Sequence, residues 1–151
     1  MLISTATAKA HLRKEADYPD DQILPYLGAA ESKAMNYLNR KIFSDNAAMA
    51  AAVAAAPAAL TAAGTEYAAV METLRTEPDG VARALMQEQA GRKYKSAQAD
   101  ATATLAGIVL NDQLRAAILV ILDHYFSQRG ETPLPIGSEY LLWDYRVGFG
   151  V

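Results

Sequence analysis

The sequence predicts an all-α protein: a small helical bundle with an inserted Ala-rich helical hairpin and an irregular C-terminal tail. Three observations carry this expectation. Residues 21–40 and 111–128 each repeat apolar side chains at intervals of three and four, which places them on one face of a helix. Between these segments alanine fills 14 of the 23 positions from Ala47 to Ala69, and no residue prefers the helix more strongly. The final stretch, 131–151, is punctuated by proline and glycine and reads as irregular. The 151 residues together read as a single domain, with 44–107 as the insertion and 131–151 as a C-terminal arm.

The elements are taken in chain order. Residues 1–15 form a short helix, capped by Ser4 or Thr5, with Ala8 and Leu12 one turn apart. Pro19 breaks the chain, because it disfavours helix at Tyr18, and Asp20 and Asp21 are placed to cap the next helix. That helix, from Asp21 to Arg40, buries Ile23, Leu24, Leu27, Ala30, Ala34, Met35 and Leu38, with Arg40 and Lys41 at its carbonyl end. Within the insertion, Pro57 and Gly64 should interrupt the alanine run. Glu77-Pro78-Asp79-Gly80 should turn the chain into a second helix from Val81 to about Ala106. Asn111 caps the most apolar helix, 111–128, with Leu114, Ile118, Ile121 and Tyr125 in one stripe, Ala117 and Leu122 widening it, and Gly130 stopping it. In the tail, Leu141, Leu142, Trp143, Tyr145 and Phe149 are too apolar to be left in water, so they fold back on the core or dock on a partner.

Composition narrows the function. A net charge of −3 and a pI near 5.3 argue against a dedicated nucleic-acid binder. With no cysteine, disulfide scaffolds and cysteine-based zinc sites are excluded. Residues 1–15 lack a basic region followed by an apolar run, so no signal peptide is expected. The longest strongly apolar run, Ala116 to Leu122, falls far short of the ~20 residues that cross a bilayer, and no membrane partner is expected.

Catalytic patterns are not found. His11 and His124 sit in different helices without metal-ligand spacing, and no nucleophile elbow or phosphate loop occurs. The adjacent Asp20 and Asp21 point to different faces, which suits a helix start better than an acid–base pair. Arg92-Lys93-Tyr94-Lys95 could touch phosphate, but reads better as a solvated helix face. The expectation is a protein that is not an enzyme and needs no cofactor or metal. Trp143, Tyr145 and Arg146 are residue types that anchor protein interfaces.

Three separated segments resemble one family, the head–tail connector (adaptor) proteins of long-tailed bacteriophages. The first is Ala8-Lys9-Ala10-His11-Leu12-Arg13, with the helix that ends Tyr37-Leu38-Asn39-Arg40. The second is Ile118-Leu119-Val120-Ile121-Leu122-Asp123-His124-Tyr125 with Arg129. The third is Leu134-Pro135-Ile136-Gly137 followed by Leu141-Leu142-Trp143-Asp144-Tyr145-Arg146. The likeness covers about 1–43 and 108–147; Asn111 stands where the family often has proline, and the insertion has no counterpart. The resemblance implies a virion structural protein of the head–tail neck, assembled in the host cytoplasm. It implies a ring of about twelve copies with a contact that closes head to tail. The implied partners are further copies of the chain, the portal protein and the next neck or tail protein, with DNA passing through the channel without specific binding. The interface residues expected are Ile118, Ile121, Tyr125, Arg129, Leu134, Leu141, Leu142, Trp143, Tyr145 and Arg146.

Two other readings use the same residues. A small helical adaptor working as a dimer would use the apolar faces without closing a ring. A DNA-binding module would use Arg83, Arg92, Lys93 and Lys95 and would lose affinity steeply with salt.

Overall fold

The structure, a computed structural model, describes residues 1–128 and 133–148. It divides into two compact units: Met1–Asn46 with Ile108–Val151, and Ala47–Gly107. The described residues form six α-helices, one turn of 3-10 helix and one pair of two-residue strands, so the fold is all-α.

The first unit opens with α1, Thr5–His11, whose N-terminus is capped as expected: the Ser4 hydroxyl accepts from the Thr7 N–H at 3.2 Å. The helix stops well before residue 15, because Arg13 takes a left-handed conformation with φ of 54°. The loop beyond is tied by Lys9. Its ammonium donates to the Ala16 carbonyl at 2.8 Å and lies 2.6 Å from the Asp20 carboxylate. Asp20 is thus engaged elsewhere, and Asp20–Gln22 forms a 3-10 turn. α2, Leu24–Leu38, therefore begins without the side-chain cap that the two aspartates were expected to supply. It ends at Asn39, which adopts φ 54° and ψ 34°, a left-handed cap that asparagine tolerates better than most residues.

α2 packs on α5, Asp112–Gln128, and α5 packs on α6, Ile136–Trp143. Ile23, Leu27, Ala30, Ala34 and Leu38 meet Leu114, Ala117, Ile118, Ile121, Leu122 and Leu142 in one core, with Ile3 and Ala8 at its edge. Each large side chain taken fully out of water here contributes about 1.5–3 kcal/mol before entropy is counted. Leu24, expected in the core, lies on its exposed side. The Asn111 carboxamide oxygen caps α5 by accepting from the Leu114 N–H at 2.8 Å. The expected stop at Gly130 lies outside the described residues.

A charged side chain sits among these apolar ones. Glu31 is 6% exposed, and its Oε1 accepts from the backbone N–H groups of Leu2 and Ile3 at 2.8 and 3.0 Å. It anchors the start of the chain to the middle of α2.

The tail is not irregular throughout, contrary to the sequence-based expectation. Ile136–Trp143 is a helix, started by Pro135 at φ −58°, a value already near that of a helix.

The chain leaves the first unit and returns to it through a short ladder. β1, Ile42–Phe43, pairs in parallel with β2, Ile108–Val109, with Ile42 opposite Ile108 and Phe43 opposite Val109. The second unit consists of two helices, α3, Asn46–Leu74, and α4, Gly80–Leu105. Neither Pro57 nor Gly64 interrupts α3. Proline forfeits one backbone hydrogen bond, but the strongly helix-forming alanines on both sides carry the helix through. Asp79 caps α4, its Oδ1 accepting from Val81 and Ala82 at 2.8 and 3.3 Å.

The more sheltered positions of α3 include Val53, Ala56, Leu60, Ala63, Tyr67, Val70 and Leu74, a repeat of threes and fours that suits a helix pair. Burial is slight even so: of α3 only Ala56 and Leu74 are buried, and of α4 none among its residues. Tyr67 stacks on Tyr94 with ring centres 5.4 Å apart, and Gly64 faces that ring. By length and composition alone α3 is apolar enough to cross a membrane, a longer stretch than the run Ala116–Leu122. The longer stretch is easily overlooked because its apolar character is alanine, which offers little area per residue.

Candidate interaction surface

The short helix α6 has two faces of different chemistry. On the inner face, Leu142 and Ser138 are fully buried, and Leu141 and Tyr145 pack half-buried against the core. The Ser138 hydroxyl donates to the Pro135 carbonyl at 2.7 Å. On the outer face stand Ile136 (72% exposed), Tyr140 (76%) and Trp143 (53%), spaced i, i+4 and i+7, with Val147 just beyond. Glu139 and Asp144 flank this stripe, one on each side by helical geometry.

The backbone around the stripe is held by α5 and by the end of α2. Gln113 of α5 donates through Nε2 to the Leu141 carbonyl at 3.0 Å, and its Oε1 accepts from the Tyr145 hydroxyl at 3.2 Å. At the end of α2, the Val147 N–H donates to the Leu38 carbonyl at 3.0 Å, and Asn39 Nδ2 donates to the Val147 carbonyl at 3.1 Å. Arg40 donates to the Tyr145 carbonyl at 3.1 Å, and the Arg146 guanidinium lies 5.1 Å from the centre of the Tyr37 ring. A partner would meet a surface already in place and would lose little entropy in ordering it.

The interface residues expected from sequence divide into groups. Ile118, Ile121 and Leu142 are fully buried and Leu134 nearly so; they pack the helices together and present no surface. Tyr125 is partly buried against the core, and burial pushes its phenol up from the ordinary value. Leu141, Tyr145 and Arg146 hold α6 in place. Trp143 faces outward as an anchor would. Arg129 lies outside the described residues, as does Phe149 of the apolar tail. Ile136 and Tyr140 were missed: the Pro-Leu-Pro run hid the helix, and without the helix their spacing to Trp143 carries no meaning.

The basic cluster of α4 is largely spent within its own unit. Lys93 pairs with Glu66 and Arg92 with Glu88, while Tyr94 lies against Tyr67. Among the described residues no group of three or more His, Asp or Glu side chains is placed to hold a metal ion. No protein-family model, curated protein or solved structure matches the chain.

Proposed function

We propose that the chain is a structural subunit of the neck of a tailed phage particle, assembling with its own copies into a ring beside the portal. The likeness of residues 1–43 and 108–147 to head–tail connector proteins supports this reading. The single observation that carries it is the outer face of α6: three large apolar side chains stand in solvent on a backbone fixed to the core on its other side. A stripe of this kind belongs against another protein. The work proposed is mechanical. The ring extends the DNA channel, completes the head and gives the tail a docking surface, and the net charge of −3 lets DNA pass without sticking. No catalytic step and no cofactor form part of the proposal.

Mass photometry and negative-stain microscopy of the chain, alone and mixed with a portal protein, test it. A closed ring is expected, at high concentration or on the portal. Trp143→Ala should leave the helical signal unchanged and reduce ring formation at least tenfold. A strict dimer that never grows, even with portal present, would instead establish the dimeric adaptor.

A further inference from the structure

The outer stripe of α6 has the spacing of a helix-pairing seam. Ile136, Tyr140 and Trp143 follow at intervals of four and three, and Val147 continues the pattern past the last helical residue. The area these side chains expose is on the order of 400–500 Å², about half of what one partner contributes to a standard interface. That suits one helix laid alongside, held by anchors one turn apart.

Two carboxylates border the seam. Glu139 comes directly before Tyr140 and Asp144 directly after Trp143, so they flank it on opposite sides. Residues at such flanking positions decide which helix pairs with which. Glu139 needs no partner to explain it, since it lies in the first turn, where the helix dipole favours an anion. Asp144 does. It caps the carbonyl end of α6, where the dipole disfavours a negative charge. Among the described residues neither carboxylate is ion-paired, so no cation of the described chain answers the charge that Asp144 places there.

Another copy of α6 is a poor occupant. In a parallel pair, the residue before one seam position faces the residue five places later on the other helix, which sets Glu139 against Asp144 twice over. In an antiparallel pair each carboxylate faces its own counterpart. Both arrangements bring like charges together across the contact, which disfavours them. A helix with lysine or arginine at its flanking positions turns the same clashes into attractions.

We infer that the outer face of α6 takes a helix of a different protein, one whose apolar seam is bordered by lysine or arginine. Such a partner presupposes the docking face proposed above and names what docks there: copies gather into the ring on a basic neighbour that α6 holds, not by α6 meeting α6.

Trp143 is the chain's one tryptophan, so its emission reports whether the seam is covered. The full chain is titrated with two synthetic helical peptides, each about three heptads long, without tryptophan and with leucine along the seam. One carries lysine at every flanking position and the other glutamate; like charges keep each peptide from pairing with itself. The lysine peptide should shift Trp143 emission to the blue and bind at least tenfold tighter than the glutamate peptide, and the difference should shrink as salt is raised. Glu139→Lys with Asp144→Lys, neither position buried, should reverse the preference. Glu72→Lys with Glu88→Lys changes the net charge equally at a distance in the sequence and should leave the preference as it was. Circular dichroism verifies that each variant keeps its helices.

Equal affinity for the two peptides, or no response to either, overturns the inference. So does a preference that follows the Glu72 and Glu88 change instead. An emission shift that grows with the chain's own concentration, without peptide, overturns it in favour of another copy on the seam. Microscopy of the unsubstituted chain with a portal protein separates the two claims. Rings without the peptide preference leave the ring standing and remove this partner; the preference without rings removes the ring and leaves the partner.

Discussion

Glu31 shows how much one side chain can decide. Its carboxylate is the acceptor for two N–H groups at the start of the chain, in surroundings where water offers little replacement. Glu31→Ala should destabilise the first unit by about 1–3 kcal/mol, the cost of leaving such donors without a partner, measured as a shift in the urea midpoint. Glu31→Gln keeps an acceptor oxygen and should cost less. Asp20 makes a complementary prediction in pH. The hydrogen bond from Lys9 holds its carboxyl below the ordinary value of 3.8. The folded form is therefore favoured above the unfolded carboxyl's titration, and the benefit is lost as pH falls through the lower, folded value. Asp20→Asn should be less stable than the native chain at pH 6, and the gap should close on acidification below pH ~4, followed by denaturant midpoints across that range. For Tyr125 the sign is reversed: its raised phenol contributes stability below pH ~10 that disappears as pH climbs through the folded value.

At the scale of the element, the two units differ in what sustains their helices. α5 is held by its buried side chains, so Ile121→Asp, which puts a carboxylate where no partner exists, should abolish cooperative unfolding of the first unit or cost more than about 4 kcal/mol. α3 and α4 bury almost nothing and depend on helix propensity and a few side-chain pairs. Their amides should exchange with solvent orders of magnitude sooner than those of α2 and α5, read by hydrogen-exchange mass spectrometry. Gly64→Ala should strengthen α3 by roughly 1 kcal/mol, because a methyl there would lie 3.7 Å from the Tyr94 ring, in ordinary contact. The gain would show as a higher melting temperature of the alanine-rich helices.

The same contrast explains what could be read in advance. The stripes of α2 and α5 were legible because a buried face must repeat with the helical turn. The caps at Ser4, Asp79 and Asn111 were legible because orphan N–H groups select those residues. The passage of α3 through Pro57 was not, since one lost hydrogen bond was weighed without the many alanines around it. α6 was hidden for the opposite reason: eight residues contain too few turns for a period to stand out. Trp143 could be named as an anchor from its type alone, but its companions Ile136 and Tyr140 become visible only once the helix is known.

At the scale of the whole molecule, the core of the first unit draws on no residue between 47 and 107. Replacing 47–107 by a short Gly-Ser linker should therefore leave that core folded, with the near-ultraviolet circular dichroism of Trp143 and its neighbouring tyrosines retained.

The pairing of Ile42 with Ile108 has a wider consequence. The chain leaves and re-enters the bundle at neighbouring points, so everything between is, to the bundle, one closed loop. The entropy of closing a loop grows only as the logarithm of its length, about 0.6 kcal/mol for each doubling. Descendants of this sequence could gain or lose whole helical turns there at almost no thermodynamic penalty, which makes the hairpin the region most open to evolutionary tinkering.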